Sequence, residues 1–262
     1  MSAGENADLY RWFPLCARQD LPPRHVMESG LKGRELAVWR GRSGTVNVWE
    51  NRCPHRGMRL TLGANLGDEL RCAYHGYRFA DGSGLCTSVP AQPDRQPPRS
   101  LCASVYPTLE RGDLVWTRLG GEEPAAEPAI PAGIAALAMY AVSMRCAPAA
   151  LAGALADYRF RPSAALLQPE TAEERCSIEA LDGYSFRAVA TQADQGPMTT
   201  EVRLFLQPVD DQCTVVHAVL LGDLDEALRL PTLEHHAMLL TRLRDAVERA
   251  APAGPTGPGG SP

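Results

Sequence analysis

Lysine is all but missing from this 262-residue chain: Lys32 is the only one, and the other basic side chains are arginines, which we read as the coding bias of a GC-rich genome. Positive charge is itself in deficit, with 31 acidic against 26 basic residues and a formal net charge of -5. Such a chain has no basic field for nucleic acid or anionic lipid, and neither is expected as a partner. No run approaches the ~18 apolar residues of a membrane span, and the start of the chain does not resemble a signal peptide. A soluble, cytoplasmic protein is therefore expected. Histidine is scarce too: the chain has 6, none between His75 and His217. Neither a Walker lysine nor a G-x-G-x-x-G run accompanies the glycines, which excludes a phosphate-cradling loop. Cysteines number 8, yet Cys16, Cys86, Cys102, Cys146, Cys176 and Cys213 have no paired spacing, so buried reduced thiols are expected rather than a disulfide framework.

The remaining cysteines sit in a pattern. Cys53-Pro54-His55-Arg56-Gly57 is answered by Cys72-Ala73-Tyr74-His75-Gly76, one Cys and one His in each stretch. A zinc finger usually pairs like with like, whereas a cluster with one iron on two thiolates and the other on two imidazoles draws one ligand of each type from each loop. Cys53, His55, Cys72 and His75 are thus the expected ligands of a Rieske-type [2Fe-2S] cluster. Gly57 and Gly76 follow each turn, where a side chain would crowd backbone amides approaching the sulfides.

From Leu9 to about Leu119 the chain reads as short strands, at Glu35 to Trp39, Thr45 to Glu50, Glu69 to Arg71, Tyr77 to Phe79 and Leu114 to Thr117, broken by Gly, Asp and Pro. This predicts a small all-β domain over residues 1–119 with both ligand loops at hairpin tips, and a further turn at Asp81 to Gly84. Residues 120–133, rich in Gly, Pro, Ala and Glu, read as a linker. A second domain over 134–250 is predicted from a strand Met139 to Met144, a helix Pro148 to about Tyr158, strands near Cys176 to Thr191, Glu201 to Pro208 and Thr214 to Leu221, and a helix from about Thr232 to Ala250. In that last helix Leu233, Ala237, Leu240, Leu243 and Val247 form an apolar stripe. Residues 251–262 read as a disordered tail. The fold class is β-rich α+β.

The chain resembles the Rieske non-haem iron oxygenase α-subunit family, of the aromatic demethylase and hydroxylase type. The likeness rests on Arg11-Trp12-Phe13-Pro14, Asn51 to Gly57, Tyr74 to Phe79 and Val89 to Pro93, and is high over the first ~120 residues. Met58 and Tyr74 stand where respiratory Rieske proteins carry a disulfide. The resemblance implies a helix-grip-like antiparallel sheet in the second domain, here shortened. It also implies a mononuclear iron held there by two histidines and an aspartate.

That second site departs from the family. Aligned on Asp157 as the family's bridging carboxylate, the chain has Phe160 and Ala165 in place of the histidines, and His235 or His236 near the aspartate's position. The neighbouring Ser163 and Gln168 are weak iron ligands. His217, His235 and His236 read as packed or solvated histidines rather than a new iron site, and mononuclear Fe(II) is not expected. Three functions follow as expectations. The first is an electron-transfer or accessory subunit, reduced by a reductase or ferredoxin and passing electrons to a complete α-type subunit in a homo- or hetero-trimer. The second is an active oxygenase with an unusual iron site, and the third a redox-sensing binding protein.

Overall fold

The computed structural model describes residues 8–121, 127–168, 170, 174–192 and 198–250. The predicted tail and part of the predicted linker lie outside them. All named strands pair antiparallel, and the chain forms two β-rich units.

The first unit holds β1 (Phe13–Ala17), β2 (Val26–Leu31), β3 (Arg34–Arg40), β4 (Val46–Glu50), β5 (Ala64–Asn65), β6 (Glu69–Arg71), β7 (Arg78–Ala80), β8 (Cys86–Ser88), β9 (Val105–Tyr106), β10 (Thr108–Arg111) and β11 (Leu114–Thr117). They make three small sheets, ordered β2-β3-β4-β9, β5-β6-β7-β8 and β1-β11-β10. Leu36 and Val38 on β3 pack into one core, while the alternate residues Ala37 and Trp39 pack into another, with Trp49, Leu60, Leu70 and Phe79. Strand period 2 thus feeds two cores from one strand. The edge-to-face pair Trp39–Trp49, with centroids 5.1 Å apart, fills the second.

The second unit adds β12 (Ala136–Ala138), β13 (Val142–Met144), α1 (Pro148–Ala154), β14 (Glu174–Ala180), β15 (Ser185–Gln192), β16 (Met198–Pro208), β17 (Thr214–Leu221) and α2 (Glu226–Ala250). Its sheet runs β12-β17-β16-β15-β14, with β13 also on β17. Of the predicted strand Met139 to Met144 only Val142–Met144 is strand, and a separate short strand precedes it at Ala136–Ala138, because the chain leaves β17 after Ala138 and returns at Val142. One sheet face (Ala188, Val202, Leu204, Val216, Ala218) packs against Leu151 of α1 and Leu240 and Val247 of α2. At roughly 1.5–3 kcal/mol per buried apolar side chain, that layer holds both helices in place. The other face (Phe205, Val219) packs on Trp116 and Leu114 of the first unit. No helix among the described residues is long and apolar enough to cross a membrane.

The two units lock together through the β2–β3 turn. Lys32 and Gly33 there have positive φ of 49° and 75°, and their N–H groups donate to Pro208 O and Val209 O, each at 2.7 Å. Gln207 Nε2 donates to Gly30 O at 2.7 Å and Ser29 Oγ at 3.1 Å. The lone lysine bonds Asp8 at 2.7 Å and lies over the rings of Phe13 and Tyr184. Within the predicted linker, Ile130 is buried and Glu127 pairs with Arg111 at 2.6 Å, so these residues pack on the first unit.

Candidate metal centre

The two ligand loops have the same backbone. Cys53 N–H donates to Met58 O at 2.8 Å, and Gly57 N–H returns to Cys53 O at 2.8 Å. Cys72 N–H donates to Tyr77 O at 2.8 Å, and Gly76 N–H returns to Cys72 O at 3.2 Å. Each loop closes at a glycine with φ of +72°. At Gly57 a Cβ would meet nothing within 4 Å, so crowding is not the reason for glycine there; the left-handed backbone is. At Gly76 both reasons apply, with Pro90 Cγ 3.2 Å from a Cβ. The second loop tips the β6–β7 hairpin as predicted. The first does not sit at a hairpin tip: it crosses from β4 in one sheet to β5 in another. Strand propensity shows where a strand ends, not which sheet its successor joins.

The loops bring all four predicted residues together. Cys53 and Cys72 are buried in the Trp39–Trp49 core, while the histidines face outward, His55 half-buried and His75 exposed. The His55 and His75 ring centroids are 5.0 Å apart. Tyr77 stacks on His55 at 4.3 Å and 16°, and Tyr74 covers His75 at 3.8 Å. Burial pushes the Cys53 thiol up to about 11, and the Cys72 sulfur beside it pushes the same way. A thiol held protonated in this way binds metal by giving up its proton, so metal binding is linked to proton release. His55 is held below the usual imidazole range by desolvation, with His75 and Arg56 acting in the same sense, which favours the neutral ring that can ligate.

Paired thiolates inside and paired imidazoles outside fit a cluster in which each iron takes two protein ligands and completes its coordination with sulfide. The sequence profile of the Rieske [2Fe-2S] domain matches residues 11–107. These residues form a Rieske [2Fe-2S] domain. Oxidoreductase NdmD of Pseudomonas putida is 52% identical over 121 residues, 46% of this chain and 20% of that protein. The iron-sulfur subunit TsaM1 of the toluene-4-sulfonate monooxygenase system of Comamonas testosteroni is 35% identical over 109 residues, 42% of this chain and 30% of that protein. The matched stretch is thus less than a third of either relative. Among solved structures, NdmB of Pseudomonas putida CBB5 superposes with a TM-score of 0.71 at 18% identity, over 97% of this chain and 86% of that one. Apo dicamba monooxygenase gives 0.71 at 16% identity, over 93% and 86%. The Rieske domain plus sheet domain is therefore the fold of Rieske oxygenase subunits, as the sequence motifs led us to expect.

Outside the Rieske domain the other candidate residues are dispersed. Asp157 lies exposed in a 3-10 turn, whereas Phe160 and Ala165 are buried. His236 is buried beside Phe160 and hydrogen-bonded through Nδ1 to Tyr158 Oη. Burial raises the Tyr158 pKa, so the phenol keeps its proton and donates to a neutral ring. His217 bonds Gln207 Oε1 through Nε2 at 2.7 Å. It lies opposite Phe205, on the sheet face toward the Rieske domain, while His236 packs from α2 on the other face. The sheet separates these two histidines, so they do not share a metal. His235 Nε2 accepts from Arg161 N–H at 3.2 Å, at the half-buried edge where Arg161 pairs with Glu174 at 2.7 Å. His25 is a surface residue of the loop before β2. Among the described residues, no group of three or more His, Cys, Asp or Glu converges to hold a single metal ion.

The network Tyr158–His236 and the relay His217–Gln207–Gly30 escaped sequence reasoning. Their partners are 78 and 10 residues apart for the first bonds and 177 for the last. No local signal in the sequence named a partner for either histidine.

Proposed function

We propose that the chain is an electron-transfer or accessory subunit of a Rieske oxygenase system, with Cys53, His55, Cys72 and His75 as cluster ligands and no mononuclear iron of its own. The observation that carries this reading is the arrangement of the two matched loops, which buries both thiols and turns both imidazoles outward. The cluster, when bound, supplies a one-electron store. Cys53 and Cys72 anchor its inner side to the core, shielded from water by Trp39, Trp49 and Phe79. His55 and His75 form the outward edge and, with their second ring nitrogens, the contact through which a partner is reached. Tyr77 holds the His55 ring by stacking on it, and Tyr74 lies tilted against His75.

The second domain supports the accessory half of the reading. Phe160 and Ala165 fill the places where the resembling family has its iron histidines, and His236 and His217 are engaged by Tyr158 and Gln207. Electrons arriving from a reductase or ferredoxin would therefore leave to a complete α-type subunit, in a homo- or hetero-trimer, in the cytoplasm. None of the 8 cysteines is in a disulfide, which suits a reducing compartment. Iron analysis of the purified chain tests this: about two irons per chain with a Rieske spectrum are expected, and substrate turnover only when a second α-type subunit is added. A third iron, together with turnover by the chain alone, would overturn it.

A further inference from the structure

The rim around the two histidines carries a charge pattern that electron transfer as such does not demand. Residues 51–62 contribute Arg52, Arg56 and Arg59, residues 71–78 contribute Arg71 and Arg78, and neither stretch contains an Asp or Glu. All of these arginines are exposed. They sit on a chain whose formal net charge is -5, so the remainder of the molecule is more acidic still. Glu35 and Glu28 lie 2.5 and 3.9 Å from Arg59, and Glu69 lies 3.5 Å from Arg78. Among the described residues Arg52, Arg56 and Arg71 have no carboxylate partner.

The strand register makes the concentration of charge costly. Arg71 and Arg78 are direct partners across the β6–β7 pair, on the same sheet face, at the strand ends that lead into the second ligand loop. Like charges directly opposite one another destabilise a sheet. Three of the five rim arginines thus lack a carboxylate neighbour among the described residues, a surplus of positive charge that solvation alone does not require. The same two stretches carry exposed apolar groups, Leu62 at 64% and Tyr74 at 53% exposure. Arginine and tyrosine with few acids is the composition of a protein interface.

We propose that this arginine rim is the docking surface for an acidic face of the protein electron donor, which it steers to the His55–His75 edge. The proposal rests on the electron-transfer reading above and adds the chemistry of the partner. Opposite charge at the contact raises encounter rates by about 10 to 1000-fold and falls with salt. The chain's net negative charge repels an acidic partner at long range. At an ionic strength of about 0.1 M, however, the Debye length of about 10 Å confines the interaction to the local rim.

A reduced plant-type [2Fe-2S] ferredoxin, an acidic protein whose potential lies below the Rieske range, is a suitable probe. One electron leaves the ferredoxin and one is gained by the cluster-loaded chain, with no bond made or broken. Stopped-flow reduction should slow by about tenfold between about 0.1 and 0.5 M salt. Calorimetric affinity for oxidised ferredoxin should weaken in parallel. Arg52→Glu with Arg71→Glu should abolish most of both salt dependences, while reduction by a photoreduced neutral flavin stays unchanged. If the charge-reversed pair fails to load its cluster, Arg52→Gln with Arg71→Gln is read instead, with a smaller loss in the same direction. Salt-independent reduction, variants indistinguishable from the parent, or short duplex DNA competing as well as ferredoxin would each overturn the docking proposal while leaving the cluster reading intact. A chain that shows no Rieske signal and takes no electron from the neutral flavin defeats the electron-transfer reading, and the docking proposal with it.

Discussion

Gly57 and Gly76 share one conformation, a left-handed turn with φ of +72°, yet differ in what surrounds them. A non-glycine residue there costs roughly 1–2 kcal/mol in backbone strain. Gly57→Ala should cost about that and no more, because its new Cβ meets nothing within 4 Å. Gly76→Ala should cost more, because Pro90 must also give way. Urea denaturation of the loaded protein checks the order, and equal losses would show that the Pro90 contact relaxes freely. The ligand assignment has a sharper test: His55→Ala with His75→Ala should abolish the Rieske electron-paramagnetic signal, and its survival would remove both from the ligand set. At this scale the Rieske [2Fe-2S] domain was legible, because its motif is written in residue type and spacing. The reason for Gly57 was not, since φ is a property of the folded backbone.

The elements of the second domain carry buried histidines whose titration should show in stability. Burial lowers the pKa of both His217 and His236 to about 3 in the folded protein. An unfolded chain binds protons at an imidazole from about 6.5 downward. The unfolded state therefore takes up more protons between these values, and the stabilisation, complete above about 6.5, is lost as pH falls toward 3. Each histidine contributes a slope of up to about 1.4 kcal/mol per pH unit. Urea midpoints at pH 7.5 and 5.0 should differ accordingly, and His236→Phe should flatten the dependence by its own share. An unchanged slope would mean that the ring is already solvated. The helix holding His236 was predicted from Thr232, but it begins at Glu226 and runs through Pro231. Asp225 explains the difference: its Oδ1 accepts from Ala227 N–H at 2.9 Å, starting the helix ahead of the proline. Pro231 is the sixth residue of the helix, past the first four whose N–H groups have no intrahelical acceptor, so the helix runs on at the loss of one bond, the one to the Ala227 carbonyl.

For the whole molecule, the consequential contact is the one between units. A Cβ on Gly30 would stand 2.8 Å from Val209 Cγ1, at the place where Gln207 bonds the Gly30 carbonyl. Gly30→Val should wedge the Rieske domain away from the six-stranded sheet. A single calorimetric unfolding transition should then split in two, with the cluster spectrum retained in the upper or lower one. Unsplit unfolding at an unchanged temperature would show that the interface adds little to cooperativity.

The sequence by itself determined the Rieske [2Fe-2S] domain, the β-rich α+β class, most strand positions of the second domain and the apolar stripe of the last helix. Each of these depends on residue type at a fixed local spacing, and local spacing survives in a linear chain. Tertiary structure alone decided that the first ligand loop bridges two sheets, that the sheet keeps His217 and His236 apart, and that Tyr158 and Gln207 are their partners. It also decided that Arg71 and Arg78 stand side by side where β6 and β7 lead into the second loop. Those facts follow from register and packing between segments distant in the chain, where the energy lies in contacts that no local pattern encodes.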